Sequence, residues 1–281
     1  MRDERANPIG RAVLMVALTI AALLALTPFF WLIAATIKRG NDLFNYPFLP
    51  WGALDTLTLD NFRSLFRDQP FAQWLTNSLF LASAQTAMVV TLSSIGGFAL
   101  AKYQFAGKRI LMLLMLLTML LPSQVLMPSS YELMWHFGWV DSYKAILVPG
   151  AVSVFGMFLF RQAMGQVPDE LLHAGRVDGC SELRLWWEVA LPIVRPMIGA
   201  FTLMTFIGSW NSFLWPQVVL QDEMKYNLPI GLANMVSQPD VSQNYSVLMC
   251  GTMLSIVPVM LLFSILQKDF IAGLASGAVK G

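Results

Sequence analysis

The sequence predicts an all-α membrane protein of six transmembrane helices, with a charged helix-turn-helix segment between the fourth and the fifth. Three observations lead there. Only 12% of the 281 residues are charged and 56% are hydrophobic, against about 25% charged in an ordinary soluble domain; mean hydropathy is +0.60. The few charges are spaced so that six long stretches carry none. One amphipathic stretch, PDELLHAGRVDGCSELRLWWEVALPIVRP from Pro168 to Pro196, gathers acids and arginines in the middle of an oily chain.

A helix needs about 20 apolar residues to cross a hydrocarbon core of about 30 Å. The stretches near 12–37, 71–101, 110–131, 140–161, 196–220 and 246–267 supply the spans, together a membrane domain over 12–267. The fourth is the shortest and draws on Trp139 to Tyr143 at its outer end. The first follows a charged head, residues 1–11. It exceeds the roughly 7–15 apolar residues of a secretory signal and reads as an uncleaved helix.

Placing the N-terminus in the cytoplasm puts twelve of the 18 lysines and arginines inside, among them Lys102, Lys108, Arg109, Arg161 and Arg176, and six outside. The excess of basic residues in cytoplasmic loops therefore predicts a multi-pass protein with both termini inside. The tail 268–281 and the loop 165–192 share that side. Trp31, Trp51, Trp74, Trp135, Trp139 and Trp215 fall near outer boundaries, where indole is favoured.

Several functions are excluded by what the sequence lacks. A net charge of +1 offers nucleic acid nothing, and Cys180 and Cys250 have no disulfide or metal spacing. The uncharged stretches contain no acid or histidine to relay protons, which argues against a secondary transporter. There is no H-E-x-x-H, no paired intramembrane aspartate and no Ser/His constellation; His136 stands alone near an outer boundary. No G-x-x-x-x-G-K-[ST] loop is present, so ATP is not held that way by this chain.

The central segment reads as two helices around a turn. Pro168 suits a first helical turn, and Asp169 and Glu170 then face the positive end of the helix dipole. Leu171, Ala174 and Val177 recur every third residue, and Asp178-Gly179 breaks the run. Ser181 can cap a second helix with Glu182 in its first turn. Leu183, Trp186, Trp187, Ala190 and Leu191 carry the apolar face on to Pro192. Such a segment fits a helix resting on lipid and equally one docked in a groove of a cytoplasmic protein.

The same segment resembles the EAA loop of permease subunits from binding-protein-dependent ABC importers. His173, Ala174 and Gly175 align with the EAA, Gly179 with its glycine, Val189 with the aliphatic position and Leu191-Pro192 with the closing LP. Two positions depart: His173 replaces the usual glutamate, weakening a polar contact or passing it to Glu170, and Gly175 replaces the second alanine. The run Gly208 to Pro216, GSWNSFLWP, is similar to the W-N-x-F-x-W-P signature of the carbohydrate-uptake subfamily. The stretches 99–108 and 267–281 look like those of the shorter permease in maltose-type importers.

The resemblance implies a type I ABC importer permease fold in the inner membrane and no enzymatic activity of its own. It implies a second permease subunit, two cytoplasmic ATPase subunits that bind the ATP, and an extracytoplasmic solute-binding protein. Glu170, Leu171, His173, Ala174, Gly175, Asp178, Gly179, Leu183 and Trp187 would meet an ATPase. Gln267, Phe270, Gly277 and Lys280 would carry the tail between the two ATPases. The solute would be a sugar, with glycerol phosphate or a glycerophosphodiester as the alternative.

The path itself needs polar groups facing inward, because they are costly in lipid. Asn77, Gln124, Trp210 and Asn211 are the leading candidates, with Ser83, Gln85, Ser123, Ser209 and Ser212 beside them. Pro122, Pro128 and Pro258 permit kinks. The outer loop 222–245 would face the binding protein.

Overall fold

The computed structural model describes residues 8–40, 43, 45, 46, 48, 49, 54–237 and 241–278, and among these every regular element is helical. The expected Trp51 and the first seven residues lie outside them. The described residues divide into two compact units, one within Met1–Pro70 and Leu232–Ser255, the other within Phe71–Gly231 and Ile256–Gly281.

In the first unit, α1 (Pro8–Thr36) is apolar around its whole circumference. Its 27-residue apolar portion, Gly10–Thr36, has the length of a membrane crossing. A helix end leaves carbonyls unpaired, which is expensive away from water. Here Asn61, in α2 (Asp60–Asp68), donates its amide to the carbonyls of Thr36 and Lys38 at 2.7 Å each. The Thr58 backbone N–H covers the Ile37 carbonyl at 2.8 Å.

The second unit is built around α3 (Phe71–Lys102), a 32-residue helix long enough to cross a membrane. α7 (Val154–Met164) and α10 (Arg195–Trp210) pack on it. Val89, Phe98, Phe160, Met164 and Phe201 interlock at the seam, with Phe160 and Phe201 edge to face at 5.5 Å. In lipid, helices associate through close packing, and small residues permit it. At Gly97 the approach is so close that a Cβ would lie 2.8 Å from the Arg161 backbone nitrogen.

The remaining spans are broken at positions that the sequence marks. α4 (Lys108–Met119) turns by 92° into the segment Ser123–His136, whose regular part is α5 (Met127–His136). Pro122 stands at the bend, where its ring and missing N–H end the helix. The expected fourth span, 140–161, is carried by α6 (Lys144–Leu147) and α7, with a non-helical stretch between them. The expected fifth, 196–220, breaks after Trp210 and resumes as α11 (Leu214–Val219). α12 (Leu228–Val236) and the 38-residue α13 (Val241–Ala278) follow. By length and composition three helices can each cross a membrane, or five if each bent pair counts as one crossing. Six spans were expected, with kinks permitted at Pro122, Pro128 and Pro258; a bend falls at Pro122, and a further break follows the W-N-S-F run.

At the far end of the second unit from Lys102, one residue ties the loops together. Asp141 has a left-handed backbone, φ 58°. Its carboxylate accepts the backbone N–H groups of Gln221 and Asp222 at 2.9 and 3.0 Å and the Lys225 ammonium at 2.5 Å.

Gly97 supplies a direct check of the seam. Gly97→Leu must displace backbone as well as Phe160, an overpacking cost of about 1–3 kcal/mol or more. Thermal unfolding of the purified protein should shift down markedly, whereas Gly208→Ala, whose added Cβ meets nothing within 4 Å, should leave it unchanged.

Candidate functional site

A cavity of about 880 Å³ opens in the second unit between α3, the α4–α5 bend, α7 and the broken α10–α11 helix. Gln85, Ser123, Gln124, Ser130, Ser153, Thr205, Ser209, Asn211, Ser212 and Asn227 bring amides and hydroxyls to its wall; Phe155, Phe201, Phe213 and Trp215 bring aromatic surface. Among the described residues, no lysine, arginine, aspartate or glutamate lines it. Each break noted above has a role here. The end of α10 exposes Asn211, whose amide donates to the Ile207 carbonyl at 2.9 Å and so caps the helix at the cavity. Ser153 caps α7 by accepting the Gly156 N–H at 3.0 Å. Gln85 donates to the Gly150 carbonyl, while its own carbonyl oxygen is buried without a partner.

The structure divides the sequence-derived path residues. Gln124 and Asn211 line the cavity, with Gln85, Ser123, Ser209 and Ser212. Asn77 and Trp210 do not. Asn77 is buried, and its amide donates to the Met224 and Tyr226 carbonyls at 2.9 and 2.8 Å, so it anchors the chain leading into α12. Trp210 is buried and stacked on Phe206 at 5.7 Å, one helical turn back. Ser83 is exposed on the other side of α3. Missed from the sequence were Ser130, Ser153, Thr205 and Asn227; isolated hydroxyls and amides carry no pattern until the helices are assembled.

At the Lys102 end of the unit, the charged segment forms α8 (Asp169–Val177), a turn, and α9 (Glu182–Ile193), which is π-helical over Leu185–Ala190. Pro192 explains the widened stretch: it has no N–H to offer the Glu188 carbonyl. Pro168 stands just before α8 in extended conformation, one position earlier than the first-turn placement expected. Gly179 closes α8 with φ 80°, as the Cys180 N–H reaches the Gly175 carbonyl at 2.9 Å and the Gly179 N–H reaches that of Arg176 at 3.1 Å. That pair of bonds needs a left-handed residue, which glycine adopts without steric cost. Ser181 caps α9 from the Arg184 N–H at 3.3 Å.

Two polar clamps hold this loop to the bundle, and neither was read from the sequence. The Lys102 ammonium, 6% exposed, ends α3 and donates to the Val167 carbonyl at 2.5 Å and to Asp169 at 2.7 Å. This bond holds the Asp169 carboxyl below its usual range. Glu182 accepts Arg176 at 2.7 and 3.1 Å and the Tyr103 hydroxyl as well. The arginine first, then the tyrosine, pull the Glu182 carboxyl down. Burial and the neighbouring Glu182 push the Tyr103 phenol up.

Under these clamps Leu172, Leu185, Trp186 and Ala190 are buried against the bundle. Gly175 faces Leu185, whose methyl group occupies the space that an alanine Cβ would need, so the departure from the EAA pattern has a packing reason. Leu171, Ala174, Leu183 and Trp187, read from the sequence as candidate buried faces, are exposed in this chain, as are Glu170, His173, Asp178 and Gly179. Gln267 and Phe270 lie on α13, which stays helical through Gly277 to Ala278; Lys280 is outside the described residues.

Residues 90–274 match the family model of the binding-protein-dependent transport system inner membrane component. The chain belongs to that family. This ABC importer permease is 34% identical to the arabinooligosaccharides transport system permease protein AraQ of Halalkalibacterium halodurans, over 99% of each chain. It is 30% identical to the lactose transport system permease protein LacG of Rhizobium radiobacter, over 94% of each. Its fold matches a chain of a bacterial ABC transporter involved in alginate import, with a TM-score of 0.82, 24% identity, and coverage of 96% of this chain and 99% of that one. The resemblance drawn from the loop and the W-N-S-F run is thereby confirmed: the permease is a non-enzymatic, membrane-embedded importer subunit.

The Glu182 clamp predicts an acid response. A carboxyl whose folded pKa is lowered contributes stability above its ordinary value of 4.5 and loses it as pH falls through the lowered one. Because the pair is partly exposed, the contribution is about 0–1 kcal/mol. Amide hydrogen exchange over 171–177 should be faster in Glu182→Gln than in wild type at pH 7, and the difference should vanish below the ordinary glutamate range.

Proposed function

We propose that this permease carries a neutral sugar, of oligosaccharide class, through the cavity of its second unit by alternating access. The observation that carries the reading is the wall itself: ten neutral hydrogen-bonding side chains and four aromatic rings, with no charged group. Hydroxyls pair with amides and hydroxyls, and sugar faces rest on aromatic rings. A glycerol phosphate or phosphodiester would call for a cation at the wall, and the wall offers none. The volume lies within the roughly 300–1,000 Å³ of small-molecule sites. The names of the arabinooligosaccharide and lactose relatives point the same way.

The energy would arrive through the loop 165–192. Two ATPase subunits bind and hydrolyse ATP, and the exposed faces of α8 and α9 around Leu171, Ala174, Leu183 and Trp187 dock into one of them. The clamps at Lys102 and Glu182 then pass its closure to α3 as a rigid-body movement. A second permease completes the pathway, and a solute-binding protein delivers the sugar outside. The reading keeps six crossings, both termini in the cytoplasm, and the tail 268–281 (with Gln267, Phe270, Gly277 and Lys280) directed at the ATPases. The positive-inside distribution and the helicity of α13 to Ala278 support this arrangement.

Uptake assays test it in proteoliposomes holding the complex purified through this chain, with ATP inside and the binding protein outside. Neutral oligosaccharides should accumulate and glycerol 3-phosphate should not; the reverse pattern would overturn the sugar reading. Gly179→Val should cut uptake at least tenfold while the chain remains inserted and co-purifying. Nothing lies within 4 Å of that position, so the strain of about 1–2 kcal/mol for a left-handed β-branched residue falls on the turn alone. Asn211→Leu should alter the ratio of sugars transported; an unchanged profile would place Asn211 outside the path.

A further inference from the structure

A second cleft, of about 510 Å³, lies at the Lys102 end of the second unit between the end of α3, the start of α4 and the last turns of α7. Its character differs from the solute cavity. Lys108 and Arg161 line it with the amides of Gln104 and Gln162, and no acidic residue does. Both cations are half-buried. Neither they nor the adjacent Arg109 form an ion pair among the described residues. The Lys108 ammonium gives one proton to the Tyr103 carbonyl at 2.8 Å and has two more to offer.

The close approach at Gly97 sets Arg161 here. It brings α7 against α3 at the residue pair Phe160–Arg161, so the guanidinium projects beside the last turn of α3 instead of into a wider gap. The start of α4 adds to the charge. Its first turn holds Lys108 and Arg109, no acid and no side-chain cap, the reverse of the arrangement that stabilises a helix N-terminus. Two side-chain cations and a helix dipole thus point positive ends at one partly enclosed space with no counter-charge from the protein.

The surroundings say what kind of anion fits. On the face of α4 that carries Lys108, Leu111, Met112, Met115 and Met119 follow at helical spacing as an apolar rail, none of them buried. An inorganic ion or a nucleotide has no use for such a rail; a phospholipid has. We propose that this cleft binds the headgroup of an anionic phospholipid. Its phosphodiester oxygens sit between the Arg161 guanidinium, which offers a forked pair of donors, and the Lys108 ammonium. Its acyl chains lie along α4. Bound there, the lipid neutralises the uncapped start of α4 and fixes the α3–α4–α7 corner from which Lys102 and Tyr103 hold the 165–192 loop. The inference needs only that the chain is embedded in a membrane, not that its solute is a sugar.

The test reads lipid retention without transport. The full chain, purified in detergent with whatever subunits accompany it, is titrated with phosphatidylglycerol and with phosphatidylcholine of the same acyl length, and bound lipid is counted by native mass spectrometry. Wild type should retain phosphatidylglycerol over phosphatidylcholine by roughly tenfold or more, as expected for two basic groups acting together. The variant R161Q/K108Q should lose that preference while binding phosphatidylcholine as before, and R161K should keep part of it. Absence of a preference in wild type, or its survival in R161Q/K108Q, would overturn the proposal. So would tight binding of inorganic phosphate that phosphatidylglycerol cannot displace, which would mark a free-anion site. A measurement without variants guards against misfolding: in nanodiscs, amide exchange over 108–111 should slow several-fold when phosphatidylglycerol replaces part of the phosphatidylcholine. No change there would equally count against the site.

Discussion

The Lys102 ammonium is the contact on which the working parts of this permease depend. It ends the longest helix of the second unit, is almost wholly withdrawn from solvent, and spends its protons on the Val167 carbonyl and on Asp169. A buried ammonium left unpaired is far more costly than any surface ion pair is beneficial. The start of α8 is therefore held at the end of α3 by the penalty for leaving. Glu182 repeats the arrangement at the other end of the loop through Arg176 and Tyr103. Between the two clamps the turn at Gly179 stays short and fixed. A force applied to the exposed face of α8 has little to deform before it reaches α3.

The cavity depends on the same helix from its other side. α3 contributes Gln85 to the wall, and α7 and α10, packed against it through Phe160 and Phe201, contribute Ser153, Thr205 and Ser209. Because the seam at Gly97 admits no side chain, α3 and α7 meet there almost backbone to backbone. The breaks in the remaining helices fit the same scheme: unwound backbone survives in lipid only where it lines a cavity or is covered by protein. The breaks after Trp210 and before α7 meet that condition. Loop, seam and wall form one mechanical unit, with its polar groups either clamped or turned inward.

Charge is divided between the two ends of that unit with little overlap. Among the described residues no charged one lines the cavity, which is what the proposed neutral sugar would require. The corner beside Lys102 holds Lys108, Arg109 and Arg161, which form no ion pair among the described residues; the proposed anionic lipid would supply the missing partner, its chains following the apolar rail below Lys108.

Much of this was legible in the residues. Scarcity of charge and the uncharged stretches determined the membrane class, since those quantities reflect transfer free energies that each residue carries wherever it sits. Pro168, Asp178-Gly179 and Ser181 marked the helix-turn-helix because caps and left-handed turns are local chemistry. Asn211 and Gln124 were singled out because lone amides in apolar runs are conspicuous, and both stand at the cavity wall. What only the tertiary structure decided is which of the polar residues meet. Asn77 looked like Asn211 in the sequence, yet it anchors carbonyls near 225 while Asn211 faces the cavity. Lys102 and Asp169, or Tyr103 and Glu182, are separated by 67 and 79 residues, and no periodicity connects them. A kink at Pro122 was readable from the residue alone, but the break at the W-N-S-F run was not, because hydropathy averages over a window and a helix break is a property of two or three residues. Local chemistry is written in order along the chain; partnership between distant side chains exists only once the helices have packed.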